Sequence, residues 1–173
     1  QSQILFDRDS LYHHILVAES GSIRNLHFDN SYQSAMDLEE PLKMVFDYTS
    51  YLHLGVVACP KPERVLFIGL GGGSAPKKFL YDYPSLKRID AVEIDPKVAE
   101  VAYQHFELPD DPKLEVLVRD GRFFISQKAR EIAAGITLPY DMVIIDAYSE
   151  STIPYHLTTL EFLEATRSIL APD

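Results

Sequence analysis

The chain has 173 residues, 46% of them hydrophobic and 24% charged, which provides one complete core and excludes two large domains. Its eight glycines and eleven prolines are ordinary usage, so collagen-like and low-complexity chains are excluded. The 16 basic and 26 acidic residues leave a formal net charge of -10. Because this charge repels phosphate backbones, we expect no nucleic-acid partner, and a cationic small molecule suits it better.

Two further properties exclude whole classes of protein. No stretch approaches the roughly 18 uninterrupted apolar residues that cross a membrane, and residues 1–10 lack the basic-then-apolar order of a secretory signal. The single cysteine, Cys59, excludes a disulfide framework and a thiolate zinc cluster. We therefore expect a soluble cytoplasmic protein in which this part of the chain makes no membrane contact.

The N-terminal segment alternates between apolar and polar side chains, which predicts short antiparallel strands with a tight turn at Ser20 and Gly21. The alternating apolar positions are Ile4, Phe6, Tyr12, Ile15, Val17, Ile23, Leu26 and Phe28. Because such a small sheet would expose its edges, we expect a homodimer. A helix is predicted from about Glu39, with Pro41 in its first turn and its end before Pro60.

From Arg64 onward, short apolar runs alternate with stretches of helical length. This pattern predicts an α/β fold with a doubly wound, mainly parallel Rossmann-like sheet. The predicted strands are 65–68, 89–94, 114–118 and 142–145, and the predicted helices are 75–83, 96–106, 121–134 and 158–170. Strand 142–145 would be an exposed apolar edge, so we expect further C-terminal strands to be missing. The predicted domains are a β-hairpin segment over 1–38 and the Rossmann-like domain over 39–173.

Candidate ligand-binding residues follow the first two predicted strands. The glycine cluster at residues 69–73 leads into a helix, where glycines let backbone approach a ligand and free amides offer donors. Glu93 lies 24 residues after Gly69, a separation typical of an acid that binds a ribose diol. For Asp95, which precedes Pro96, we favour a helix cap. A dinucleotide motif would carry glycine at Ser74, so a nicotinamide-dependent dehydrogenase is a weaker alternative.

Two more acids follow the next two strands. Asp120 precedes Gly121 at a helix start, where it either binds a ligand amino group or only caps the helix. Asp146 follows the strand that ends at Ile145. Because the carboxyl ends of parallel strands meet at one edge, we expect Glu93, Asp120 and Asp146 to lie together near the glycine cluster.

The segments VLFIGLGGGS, AVEIDP, RDGRFF and YDMVIIDAY together resemble the nucleoside-binding core of the S-adenosylmethionine-dependent transferases. Over residues 20 to 173 the chain most resembles the spermidine synthase family of polyamine aminopropyltransferases. The resemblance implies a methyltransferase-type sheet that takes decarboxylated S-adenosylmethionine, or S-adenosylmethionine, and an amine, without a metal. It implies nucleoside contacts from Gln33, Gly69, Gly71, Gly72, Glu93, Asp120 and Gly121. It also makes Asp146 the general base and Tyr148, Ser149 and Glu150 amine-binding residues.

The chain departs from the family motifs at the amine-binding positions. The family loop G-G-G-D-G carries an acid, whereas residues 69–74 carry none, and the family motif D-S-S-D-P becomes residues 146–150 with Ser149 in place of the second aspartate. These departures leave two alternatives open: an S-adenosylmethionine-dependent methyltransferase, and a catalytically silent binding or oligomerisation module.

Overall fold

The protein folds around two four-stranded sheets. The structure is a computed structural model that describes residues 2–46, 51–147 and 154–172. Its strands are β1 (Gln3–Asp9), β2 (His14–Ser20), β3 (Ile23–Phe28), β4 (Ser31–Asp37), β5 (Arg64–Ile68), β6 (Arg88–Glu93), β7 (Leu114–Val118) and β8 (Met142–Ile145). Its α-helices are α1 (Gly55–Ala58), α2 (Ser74–Asp82), α3 (Pro96–His105), α4 (Gly121–Ala133) and α5 (Leu160–Ser168), and short 3₁₀ segments cover Leu52–Leu54 and Tyr155–Leu157.

The N-terminal sheet is antiparallel, with strand order β1-β2-β3-β4. The tight turn predicted at Ser20 and Gly21 is confirmed, because Ser20 pairs with Ile23 and Gly21 takes a φ of 61°. The fourth strand, β4, was not predicted. Gln33, for which the resemblance implied a nucleoside contact, lies inside this strand. One face of this sheet packs on α3, where Val17 and Leu26 meet Val101 in a common core.

The helix predicted from Glu39 is wrong over residues 39–46, although the described residues 51–58 at its C-terminal end are helical. Residues 39–46 form turns and bends, and the backbone of Met44 pairs with that of Met36 in β4. This pairing competes with helix formation, because it extends the sheet beyond β4. The α-helix in this part of the chain is α1, and Leu52 and Val56 still pack against the core of the parallel sheet. The described part of the predicted helix thus packs on the core, but it does not extend back to Glu39.

The C-terminal sheet is fully parallel, with strand order β7-β6-β5-β8. The predicted α/β fold is confirmed, and the boundaries of its strands and of α2, α3 and α4 agree within about a residue with those expected. Strand β5 lies between β6 and β8 with helices on both faces, so Val65–Ile68 is buried almost completely. Helix α5 is shorter than the predicted 158–170. Within the described ranges, no helix is long and apolar enough to cross a membrane.

Direct contacts join the two sheets. The buried Lys77 of α2 donates from Nζ to the Phe106 carbonyl oxygen at 2.8 Å and approaches Met36 Sδ in β4 at 3.4 Å. Burial lowers the pKa of this ammonium group. Arg24 in β3 also donates to the carbonyl oxygen of His105 at the end of α3. These contacts hold the N-terminal sheet against α2 and the end of α3.

Candidate active site

A cavity of about 290 Å³ opens at the carboxyl edge of the parallel sheet, against β4 of the N-terminal sheet. Of the residues predicted to bind a ligand, the cavity brings together Gln33, Gly69, Gly71, Glu93, Asp120, Gly121 and Asp146. Gly72 is not among the lining residues: it is buried, and its amide donates to Ser34 Oγ at 2.9 Å. The predicted amine-binding residues Tyr148, Ser149 and Glu150 lie outside the described residues.

The glycine loop is built for close approach to the end of β8. Gly69 takes a φ of 97°, and a Cβ atom there would lie 2.3 Å from the carbonyl oxygen of Asp146. The Gly69 amide donates to the Val92 carbonyl oxygen at 2.8 Å, and the Asp146 amide donates to the Ile68 carbonyl oxygen at 2.8 Å. Only glycine fits this position without moving backbone, so the loop fixes the backbone on which Asp146 is carried.

Glu93 is buried at the end of β6 and holds two backbone amides. Its Oε2 accepts a hydrogen bond from the Leu70 amide at 3.0 Å, and its Oε1 accepts one from the Asp95 amide at 3.0 Å. Burial raises the pKa of this carboxyl group above its usual value. Each oxygen keeps a lone pair for a ligand hydroxyl. The carboxylate therefore supports the glycine loop and lines the cavity at once.

The neighbouring Asp95 has the role of a helix cap, as predicted. Its Oδ1 accepts a hydrogen bond from the Lys97 amide at 2.9 Å, and Pro96 is the first residue of α3. Asp95 is fully buried, and it is not among the residues that line the cavity. Of the two acids at the end of β6, Glu93 is the one available to a ligand.

Replacing Glu93 with glutamine is expected to weaken nucleoside binding by about 10- to 100-fold, the cost of losing hydrogen bonds to a charged acceptor. The amide group keeps the volume, but its nitrogen cannot accept from a ribose hydroxyl. Isothermal titration calorimetry against methylthioadenosine measures the change. Glu100→Gln, on the exposed side of α3, is the matched control, and equal affinity in the two variants would contradict a ribose contact by Glu93.

Asp120 combines the two roles that the sequence left open. Its Oδ1 accepts a hydrogen bond from the Phe123 amide at 2.8 Å, which caps α4, and the exposed residue also lines the cavity. Gly121 begins the helix against β5, because a Cβ there would lie 2.7 Å from Ile68 Cγ2. The start of α4 therefore closes one end of the cavity with a carboxylate and with backbone.

Asp146 differs from the other two acids. No described residue donates a hydrogen bond to its carboxylate, whereas Glu93 and Asp120 are engaged with backbone amides. Burial raises the pKa of the Asp146 carboxyl group. A half-buried carboxylate with a raised pKa and free lone pairs can attract a cation and accept its proton. Of the three acids that line the cavity, Asp146 is therefore the one best suited to act as a base.

The N-terminal sheet contributes lining residues that sequence analysis did not assign. They are Tyr12, His13, Phe28 and Ser34. The His13 ring stacks on Phe28 with centroids 4.5 Å apart, and its side chain is 15% exposed against 44% for His14. His13 and Tyr12 lie in the turn between β1 and β2, and nothing in the sequence placed this part of the chain over the cavity. Among the described residues, no group of His, Cys, Asp or Glu is arranged to hold a metal ion.

The strand order, the glycine loop and the acids at the strand ends define a Rossmann-like protein of the S-adenosylmethionine-dependent methyltransferase type. The model of the spermine/spermidine synthase domain matches residues 45–173. The chain belongs to this family, as the resemblance of its motifs implied.

Three similar proteins illustrate the relationship. A polyamine aminopropyltransferase of Vibrio vulnificus is 35% identical over 181 residues, which cover 99% of this chain and 57% of that protein. Spermidine synthase from Thermotoga maritima superposes with a TM-score of 0.76 at 22% identity, over 96% of this chain and 53% of its own. Human methyltransferase-like protein 13 in complex with SAH gives a TM-score of 0.65 at 29% identity, over 73% of this chain and 61% of its own. The chain thus spans just over half the length of these relatives.

Proposed function

We propose that this chain binds an S-adenosyl nucleoside in the cavity and serves a transferase that moves an alkyl group from the sulfonium to an amine. The observation that carries the proposal is the carboxylate of Asp146, which accepts no hydrogen bond from a described residue and shares one cavity with Glu93 and the glycine loop. Nucleoside recognition and a base are the two elements that such a transfer requires.

The order of strands suggests how the ligand lies. The carboxyl ends follow the order β7, β6, β5 and β8. The adenine would meet Asp120, the ribose Glu93, and the sulfonium the glycine loop, with the amine beside Asp146. The ligand would then cross the sheet edge from the start of α4 towards β8.

The chemistry assigns Asp146 its step. An ammonium group attacks carbon only after it loses a proton, and a nearby carboxylate both holds the cation and accepts that proton. The amine nitrogen then forms a bond to the carbon beside sulfur, the carbon–sulfur bond breaks, and the thioether leaves with the electron pair. Alignment of the two reactants by the cavity contributes much of the remaining rate enhancement.

Two alkyl groups fit this chemistry. Family membership, and the name of the Vibrio vulnificus relative, favour an aminopropyl group taken from decarboxylated S-adenosylmethionine. Leu70 favours a methyl group taken from S-adenosylmethionine, because this buried apolar side chain belongs to a loop that has no acid to hold a propylammonium group. The human methyltransferase-like relative, which holds SAH, supports the second candidate.

Calorimetry with S-adenosylmethionine, its decarboxylated form and methylthioadenosine tests the proposal on the full-length protein. We expect at least one of the three compounds to bind in the cavity. Its affinity for Glu93→Gln should be lower than its affinity for the unsubstituted protein. Tighter binding of the decarboxylated donor supports aminopropyl transfer, and tighter binding of the carboxylated donor supports methyl transfer. Absence of binding to all three would end the proposal. Four further expectations stay predictions: the amine substrate, the homodimer, the cytoplasmic location and the domain boundary near residue 38.

A further inference from the structure

The residues that follow β8 form a wall of the cavity that no step of the proposed transfer uses. Pro154, His156 and Leu157 line the cavity, and we call these three residues the C-terminal wall. Leu157 is buried in a core cluster that includes Ile68 and Val92. These two residues directly precede the glycine loop and the acid at the end of β6. The wall therefore packs beside the part of the cavity to which we assign the nucleoside.

Arg122 of α4 attaches this wall to the rest of the site. Its Nη1 donates to the His156 carbonyl oxygen at 2.8 Å and to Thr159 Oγ1 at 3.2 Å. Each Nη1 carries two hydrogens, so it can serve both acceptors at once. Thr159 in turn caps α5, because its Oγ1 accepts a hydrogen bond from the Phe162 amide at 3.2 Å. A single guanidinium group therefore joins α4, the C-terminal wall and the start of α5.

The other hydrogen bonds of the wall are local. The Leu157 amide donates to the Pro154 carbonyl oxygen at 2.9 Å, and the Thr158 amide donates to the Tyr155 carbonyl oxygen at 3.0 Å. These bonds shape the turn, but they do not fix its position in the protein. The bonds from Arg122 supply that connection, since they run to a helix that begins at the cavity.

We propose that Arg122 is a positioning residue, whose guanidinium group holds the C-terminal wall where it contacts the bound nucleoside. This inference rests on the proposed function. Arg122 does not itself line the cavity, so it acts through the wall. Because Asp120 caps the same helix, Arg122 also fixes the spacing between that carboxylate and the wall. Loss of the two hydrogen bonds would leave the free site less preorganised, which costs affinity.

Arg122→Met tests this role, because methionine keeps much of the apolar stem and removes the donors. Calorimetry on the full-length protein measures the affinity for methylthioadenosine. We expect Arg122→Met to weaken binding by about 10-fold, as for lost hydrogen bonds from a charged group. Arg130→Met removes an exposed arginine from the same helix, and it should change the affinity by less than about 2-fold, as is usual for surface substitutions.

Hydrogen–deuterium exchange separates this role from a general loss of stability. In Arg122→Met the backbone amides of residues 157–158 should exchange faster than in the unsubstituted protein, whereas those of β5 should keep their rates, because the opening is local. Thr159→Val removes one acceptor of Arg122 and provides a second variant. It should weaken nucleoside binding by about 3-fold, as for one hydrogen bond, even if Arg122→Met does not fold.

Two kinds of failure can be distinguished. If Arg122→Met folds, as judged by thermal melting, and binds methylthioadenosine with unchanged affinity, the inference is overturned. Faster exchange in β5 to the same extent as in residues 157–158 would also overturn it, since Arg122 would then support the whole fold. The proposed function itself fails if the unsubstituted protein binds neither methylthioadenosine nor either sulfonium donor.

Discussion

Replacing Asp146 with asparagine is expected to lower the rate of alkyl transfer by about 100- to 10,000-fold, the range typical of a lost general base. The asparagine amide keeps the shape of the side chain, but it cannot take a proton from the amine. Because Glu93 and Asp120 are unchanged, the affinity for methylthioadenosine should stay within about 3-fold, well below the tenfold change that 1.4 kcal/mol produces. Single-turnover kinetics with a saturating donor separates the chemical step from binding.

The pH dependence of the same step follows from the burial of Asp146. Burial raises the pKa of its carboxyl group, and only the ionised form accepts a proton. The rate of transfer should therefore begin to fall, as the pH is lowered, at a higher pH than it would with an exposed aspartate as the base.

The raised pKa of Asp146 also affects stability. Because the folded protein favours the protonated form, Asp146 contributes stability at low pH that is lost as pH rises through its pKa. Asp146→Asn should consequently leave the protein as stable as the unsubstituted form, or more stable, at neutral pH.

A matched substitution controls for the loss of one negative charge in Asp146→Asn. Asp110→Asn removes one negative charge from an exposed loop residue that does not line the cavity, so transfer should be unaffected. If Asp146→Asn also transfers at the full rate, Asp146 is not the base. Measurable nucleoside binding with no transfer in the unsubstituted protein would instead favour the silent binding module.

The parallel sheet was predictable because its signals are local. The segments 65–68 and 142–145 are short apolar runs bounded by polar or turn-forming residues, and burial on both faces makes such runs continuous rather than alternating. Strand β4 carries no comparable signal: its sequence, SYQSAMD, is largely polar and small. It is a strand because it pairs with the preceding β3 and because its Met36 packs in the N-terminal core. The second contact involves Val98, Val101 and Phe106, which are distant in the chain.

Some features of the candidate site could likewise be predicted from the sequence, and others could not. The acids at Glu93, Asp120 and Asp146 could be predicted, because a parallel sheet brings the carboxyl ends of its strands to one edge. The availability of each carboxylate to a ligand could not be predicted, because it depends on which backbone amides donate to it. Two described amides donate to Glu93, one donates to Asp120 and none donates to Asp146. Ser34 was missed as a lining residue for another reason, because its contact with the glycine loop arises only where β4 packs against Gly72.

Replacing Gly69 with alanine is expected to lower the free energy of unfolding by about 3 to 5 kcal/mol, which combines backbone strain at positive φ with overpacking. At a φ of 97° an alanine is strained, and its Cβ would lie 2.3 Å from the carbonyl oxygen of Asp146. That oxygen belongs to backbone rather than to a flexible side chain, so either the loop or the end of β8 must move. Urea denaturation followed by circular dichroism measures the loss.

Gly21→Ala separates the two causes. Gly21 also has a positive φ, of 61°, but nothing lies within 4 Å of a Cβ placed there, so only the conformational strain applies and the loss should be about 1 kcal/mol. The difference between the two variants then measures the contact between residue 69 and Asp146. Because that contact fixes the backbone of Asp146, the proposed base, transfer by the folded fraction of Gly69→Ala should also fall, whereas Gly21→Ala should keep its activity. Equal losses of stability in the two variants would contradict the close approach of the glycine loop to β8, and with it the mechanism by which this loop positions Asp146.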